Sequence, residues 1–359
     1  MLGRAGALLL AWAWRTCGAT SPNASACSSL RFGGAIPPWT RTYAELRSEQ
    51  RCEGQRIIAT LGWGPLVAWW AQAEKRDALE PLLGTRSLLP ICDGIVGYLG
   101  GQYRLRLAPA GVRPIREAAI VYFPGFGPGT TGRRNETEAL AVALTAARRV
   151  VLIVGGDAAF PPRDLREFVT RNFVASWAAN VAPDSTTRPF PLGVSTGPGD
   201  AWARTVSSHL AGGRSAGLAH RRALLECRGY RRDRARDAAL DGVRAAGFSC
   251  DARDHASGAK YFIRLLSART VLCPRGFGVA TFRAYETLLA GGVPVLERFA
   301  PHDALWIGLP VIQVEDFRDL TPAKLQAAYD ALLLRRNRLD LRAAFTPFWI
   351  KQVAASLGG

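Results

Sequence analysis

From Leu272 to Glu297 the chain reads LCPRGFGVATFRAYETLLAGGVPVLE, and this stretch narrows the possible folds more than any other. A short apolar run ends at a cysteine–proline break. A loop containing Gly276 and Gly278 follows. Next, Phe282, Tyr285, Leu288 and Leu289 recur at three- and four-residue spacing, the apolar stripe of a helix over about Thr281–Ala290. Gly291 and Gly292 end that helix, and Val293–Glu297 is a second apolar run. Strand, loop, helix and strand, with continuously apolar strands, is the unit of a parallel sheet covered on both faces.

The loop also has chemistry. Two glycines let the backbone bend closely around a ligand. The helix starting near Thr281 aims unpaired N–H groups and a positive dipole end back at the loop. Arg275 adds a planar fork of donors suited to phosphate oxygens. Arg283 and Glu286 share another face of the helix. A carboxylate there can accept hydrogen bonds from ribose hydroxyls, while Arg283 contacts phosphate or pairs with Glu286. A plain structural crossover with a surface ion pair fits the same spacing.

Other segments repeat the pattern. The run AAIVYFPGFG, from Ala118, predicts a buried strand and a loop. NETEALAVALTAARR predicts a helix, acidic early and basic late, as the helix dipole favours. VVLIVGGD predicts a second buried strand ending at Asp157. The proline-, glycine- and serine-rich stretch Ala182–Gly217 reads as an interdomain connection. Beyond it, helices are expected in DRARDAALDGVRAAGF, AKYFIRLLSA and TPAKLQAAYDALLLRRNRL, with strands in TVLC and in Leu309–Val314. WTRTYAELRSEQRCEG is a further helix candidate, and the tail AAFTPFWIKQVAASL is amphipathic enough to pack across domains.

Composition sets limits. A chain of 359 residues, 48% hydrophobic and 21% charged, buries a core and has room for about two domains. The net charge of +17 comes almost wholly from arginine, with only four lysines among 46 basic residues. Base composition alone could produce that bias, since alanine and glycine are also abundant. A surface for anions is the functional alternative. No compact basic run carries interleaved aromatics, and Asp233 and Asp237 dilute the densest cluster, so nucleic acid is not an expected partner.

Met1 and Arg4 precede an apolar run from Ala5 to Trp14, the length of a signal-peptide core and short for a membrane span. Residues 1–26 are expected to act as a signal peptide, cut after Ala19 or Ala26, or as a short signal anchor. Of seven cysteines, Cys17 falls in that leader. An oxidising lumen permits disulfides among the rest. Cys227 and Cys250 flank one predicted helix and could pair, whereas Cys273 reads as a buried free thiol.

The motif CPRGFGVATFRAYETLLAGGVPV resembles the signature of exostosin-like glycosyltransferases, with Cys273, Pro274, Arg275, Gly276, Phe282, Arg283, Glu286, Gly291, Pro294 and Val295 in register. The clear match covers about Lys260–Val314, and a diffuse one reaches back to about Ala118. Thr281 stands where serine is usual, Gly292 where cysteine is usual, and Val279-Ala280 where polar residues are common. The resemblance implies an α/β GT-B architecture of two Rossmann-like domains with parallel sheets facing across a cleft. Residues 27–195 would form an acceptor-side domain, 196–216 a linker, 217–335 a nucleotide-sugar-binding domain, and 336–359 a C-terminal helix able to cross between domains. It implies a Golgi or other secretory-pathway enzyme that transfers sugar with inversion from a nucleotide-diphosphate sugar to a glycan or glycoprotein hydroxyl. Donor-binding residues would be Arg275, Gly276, Gly278, Thr281, Arg283 and Glu286. The sequence has no Asp-x-Asp pair of the kind that carries a metal, so no metal and no cofactor beyond the donor substrate are expected.

The catalytic base is less determined. Asp157 is the candidate, because open α/β sheets present ligand-facing groups at strand ends. Asp93 and Asp200 also lie beside glycine. Arg171, Arg188 and the Gly129–Arg134 loop could face a cleft, and His255 and His302 flank the motif. Two rivals remain at this stage. Gly276-x-Gly278-x-x-Thr281 with Glu297 mimics a dinucleotide fingerprint and hence an NAD(P)-dependent oxidoreductase. An inactive glycan-binding or scaffold protein of the same fold is the other.

Overall fold

The computed structural model describes residues 94–99, 102–107, 120–123, 141, 151–155, 159–193, 221–229, 233–251, 254, 256, 258–276, 278–335, 338–339, 342–344 and 346–356. The leader, the helix candidates before residue 94, all of the candidate at 135–149 except the helical Ala141, and the linker at 196–216 lie outside these residues.

Two sheets carry the structure. The first contains β1 (Gly94–Leu99), β2 (Gln102–Leu107), β3 (Ile120–Phe123), β4 (Val151–Val154), β5 (Ala175–Ala178) and β6 (Arg188–Pro189), with α1 (Arg166–Asn172) between β4 and β5. Its strand order is β2-β1-β3-β4-β5-β6. All neighbours are parallel except the β1–β2 hairpin at one edge. Residues 94–107, unassigned from sequence, still carry a hairpin signal: two short runs separated by Gly100-Gly101.

The second sheet contains β7 (Ala223–Glu226), β8 (Ala268–Leu272), β9 (Val293–Glu297) and β10 (Ile312–Val314). It is wholly parallel, in the order β10-β9-β8-β7. Helices α2 (Arg234–Ala245) and α3 (Gly258–Ser267) join β7 to β8, α4 (Phe282–Leu289) joins β8 to β9, and α5 (Pro322–Leu334) follows β10. The protein is therefore α/β with two parallel-strand sheets, as the apolar runs require. The strand expected at Leu309–Val314 is shorter, because only Ile312–Val314 pairs with β9.

Each sheet has its own core. Val121, Phe123, Leu152, Val154, Phe160 and Ala178 pack together in the first. Leu272, Val293, Val295, Ile312, Phe317 and Leu325 do so in the second. Strands β3, β4 and β5 are buried at every residue, which explains why they show no polar alternation.

Local chemistry sets the helix ends. Asp233 caps α2 by accepting the Arg236 N–H, and Thr321 caps α5 by accepting the Lys324 N–H. At the end of α4, the Gly291 N–H bonds Leu288 O and the Gly292 N–H bonds Thr287 O, with Gly291 at φ +71°. That left-handed turn suits glycine. Arg221 is buried and, with no carboxylate partner among the described residues, donates to the carbonyls of Leu265, Ala268 and Ala290. Burial lowers its pKa to about 10. It ties the ends of α3 and α4 to the start of β8, where helix dipoles favour a cation.

The last helix, α6 (Thr346–Ala355), returns to the first sheet. Trp349 meets the rings of Trp177 and Phe190 edge-on, at centroid distances of 6.3 and 5.5 Å. Arg188 lies over Trp177 and reaches Ser356 after α6.

Cys227 and Cys250 form a disulfide across α2. Reducing it should lower stability by about 3 kcal/mol, the usual value for a loop of this size. A drop in the urea midpoint with dithiothreitol, absent in a Cys227→Ser/Cys250→Ser variant, checks this.

Candidate functional site

Strand β8 delivers the chain to Cys273-Pro274-Arg275-Gly276, and α4 takes it away from Thr281. The loop between them bends tightly, with the Gly276 N–H bonded to Gly278 O at 3.0 Å. Both glycines are covered by side chains from other elements. A Cβ on Gly276 would collide with the Arg236 guanidinium, and one on Gly278 with the Asn180 carboxamide. Asn180 follows β5 of the first sheet. Its Oδ1 accepts the Ala280 N–H at 3.0 Å. The carboxyl ends of β5 and β8 therefore meet here, where α/β sheets place ligands.

A cleft of about 370 Å³ lies on one side of this loop. Gly276, Gly278, Thr281, Arg283 and Glu286 line it, as do Arg236, Tyr261, Phe282 and, from beyond the first sheet, Leu192. Five of the six donor-binding residues expected from sequence thus share one wall. Thr281 is the residue before α4, but its hydroxyl caps nothing. That hydroxyl is buried with no hydrogen bond among the described residues.

Arg283 and Glu286 are held by different partners. Arg283 Nη1 donates to Arg228 O at 3.2 Å, and Nη2 donates to Gly229 O at 2.9 Å. Glu286, 6% exposed, accepts the Tyr261 hydroxyl at 2.7 Å on Oε2. The Arg283 guanidinium lies over the Tyr261 ring at 5.2 Å. Burial, then the Glu286 charge, push the Tyr261 hydroxyl well above the usual tyrosine range, so it stays a donor.

Arg275 faces the opposite side of the loop. Its Nε pairs with Glu297 at 3.2 Å, and both residues line a small separate cavity with Val279, His302 and Trp306. Cys273 is a buried free thiol, its pKa pushed up to about 12 by burial. Arg171 is exposed and pairs with Glu167 on its own helix, and Arg188 is engaged by Trp177. Asp93, Asp157, Asp200, His255 and the Gly129–Arg134 loop lie outside the described residues. No group of three or more His, Cys, Asp or Glu able to hold a metal ion occurs among the described residues.

Arg236, Tyr261 and Asn180 are the residues that sequence reasoning missed. Arg236 sits within an arginine-rich run that gives no spacing cue. Asn180 and Tyr261 act across gaps of 100 and 25 residues, which no local pattern reveals.

His302 makes the second link between the sheets. Its buried Nε2 accepts the Val181 N–H at 3.3 Å, so the neutral ring carries its proton on Nδ1. Burial lowers its pKa to about 4, outweighing the opposing charge of Asp303. The unfolded chain takes up this proton near pH 6.5, before the folded one does. Stability should therefore be full above that pH and fall as pH drops from 6.5 to 4, by roughly 3 kcal/mol. His302→Gln, which offers an acceptor that does not titrate there, should flatten this part of a urea-midpoint profile relative to wild type.

Comparison with protein-family models finds no match for this chain, and comparison with curated proteins finds none either. The fold and cleft define an α/β protein with two parallel sheets and a glycine-walled, arginine-flanked pocket between their carboxyl ends.

Proposed function

We propose that this chain is a GT-B glycosyltransferase that moves a sugar from a nucleotide-diphosphate sugar to a glycan or glycoprotein hydroxyl. The observation that carries this reading is the convergence of Gly276, Gly278, Thr281, Arg283 and Glu286 on one cleft, with Arg236 beside them. The exostosin-like register of these residues supplies the reaction class.

The chemistry follows from the cleft. Glu286 is placed to accept hydrogen bonds from ribose hydroxyls. The diphosphate lies along the loop at Gly276, beside the Arg236 guanidinium that packs on that glycine. The N–H groups at the start of α4, with Arg236 and Arg283, stabilise its charge. The acceptor hydroxyl, deprotonated by a base, attacks the anomeric carbon. The sugar–oxygen bond to the diphosphate breaks, and the departing negative charge stays on the nucleoside diphosphate. Inversion follows from attack opposite the leaving group. Asp157, at the end of the apolar run of β4, is the proposed base.

A metal-independent reaction is part of the proposal. The sequence lacks an Asp-x-Asp pair, and arginines with backbone amides supply the positive charge. The signal-like residues 1–26 support a secretory-pathway enzyme, in the Golgi lumen or at its membrane.

A thermal-shift screen against nucleotide sugars tests the reading. At least one should raise the melting temperature, and Glu286→Ala and Arg236→Ala should each abolish the shift. Arg275→Ala should weaken it less, since Arg275 faces Glu297. No shift with any nucleotide sugar would overturn the donor site, and a shift with NADH alone would favour an oxidoreductase. Transfer should survive a chelator. Complete loss on chelation, restored by manganese, would count against metal independence. Binding without transfer would mark a glycan-binding or scaffold protein.

A further inference from the structure

We propose that Tyr261 is a positioning residue that fixes the Glu286 carboxylate for hydroxyl recognition, and so sets the preference for ribonucleotides over nucleotides lacking those hydroxyls. The inference rests on the nucleotide-sugar reading above and names what discriminates within that site.

Glu286 stands on α4 and Tyr261 on α3, so the carboxylate takes at least one hydrogen bond from outside its own helix. A buried carboxylate is stable as an anion only when donors meet it. Tyr261 supplies one, its hydroxyl donating to Oε2 at 2.7 Å. The tyrosine is itself constrained. Its ring packs against the Arg283 guanidinium, and Arg283 is pinned through both terminal nitrogens to the backbone after β7. All three side chains line the cleft. Strand β7, α3 and α4 are thus tied together at one point. With one carboxylate oxygen fixed, the plane of the other is fixed too. A ribose hydroxyl then meets an oriented acceptor, without the entropy loss of ordering a free side chain on binding.

Tyr261→Phe separates orientation from packing, because it keeps the ring against Arg283 and removes only the donor. The probes are UDP, GDP and their 2′,3′-dideoxy counterparts, titrated calorimetrically into the full chain. Wild type should bind its preferred diphosphate roughly tenfold more tightly than the dideoxy form, the scale of one hydrogen bond to a charged group. Tyr261→Phe should lose most of that ratio while keeping its affinity for the dideoxy form and its melting temperature. Added to Glu286→Gln, it should bring no further loss of the ratio.

An unchanged ratio in Tyr261→Phe would overturn the inference, as would an equal loss for both nucleotide forms. If Tyr261→Phe melts early, the cycle with Glu286→Gln decides: a further loss of the ratio in the double variant would overturn it. If wild type binds neither diphosphate, the nucleotide reading fails and this inference falls with it. A wild-type preference that survives the substitution removes this inference alone.

Discussion

Asn180 rests against the bare backbone of Gly278 and accepts the Ala280 N–H, and this contact lets two separate sheets share one pocket. Every other part of the cleft is arranged around it. The next residue, Val181, bonds His302, so two consecutive positions after β5 grip the second sheet at two points. Ala179, Leu192 and Ala280 close an apolar seam beside them. Because Ala280 is committed to this seam, a polar residue there would lose its place against the first sheet. The apolar Val279-Ala280 pair, atypical for the resembled family, thus has a packing reason at Ala280. Val279 instead faces the small cavity beside Arg275.

The arginine excess divides into distinct jobs. Arg221 replaces water around three buried carbonyls. Arg228 joins the buried Glu226 to Asp254, which also holds Arg264. Arg298 bridges Asp303 and Glu315 on the surface, where such pairs contribute little. Much of the basic charge is therefore structural, and a net charge of +17 does not describe a single anion-binding face. Arg236 and Arg283 are the basic residues that line the cleft among the described residues.

How much of this was legible in the sequence depended on the range of the interaction. Strands β3, β4, β8 and β9 announce themselves as apolar runs because both of their faces are covered. Helix α4 does so because its stripe and its glycine stop are local. Strands β5 and β7 are less visible: both are short, ASWA holds the buried Ser176 bonded to Thr187, and ALLE ends on the buried Glu226 bonded to Arg228. The glycine wall and Glu286 could be read from one continuous motif. Arg275 shows the limit of that reading. A phosphate-ready guanidinium beside a glycine loop was expected in the pocket, but the next strand offers Glu297, and the side chain turns to it. The clasp through Asn180 and His302 belongs to the pairing of two sheets, and neither partner's local sequence specifies it.

The return of α6 to the first sheet affects how the protein is made. Trp177 and Phe190 are synthesised well before Trp349, which packs on them. Until then this aromatic patch has no native cover from α6. A nascent chain of this kind carries a sticky aromatic surface until α6 emerges, a window in which chaperone contact can protect it.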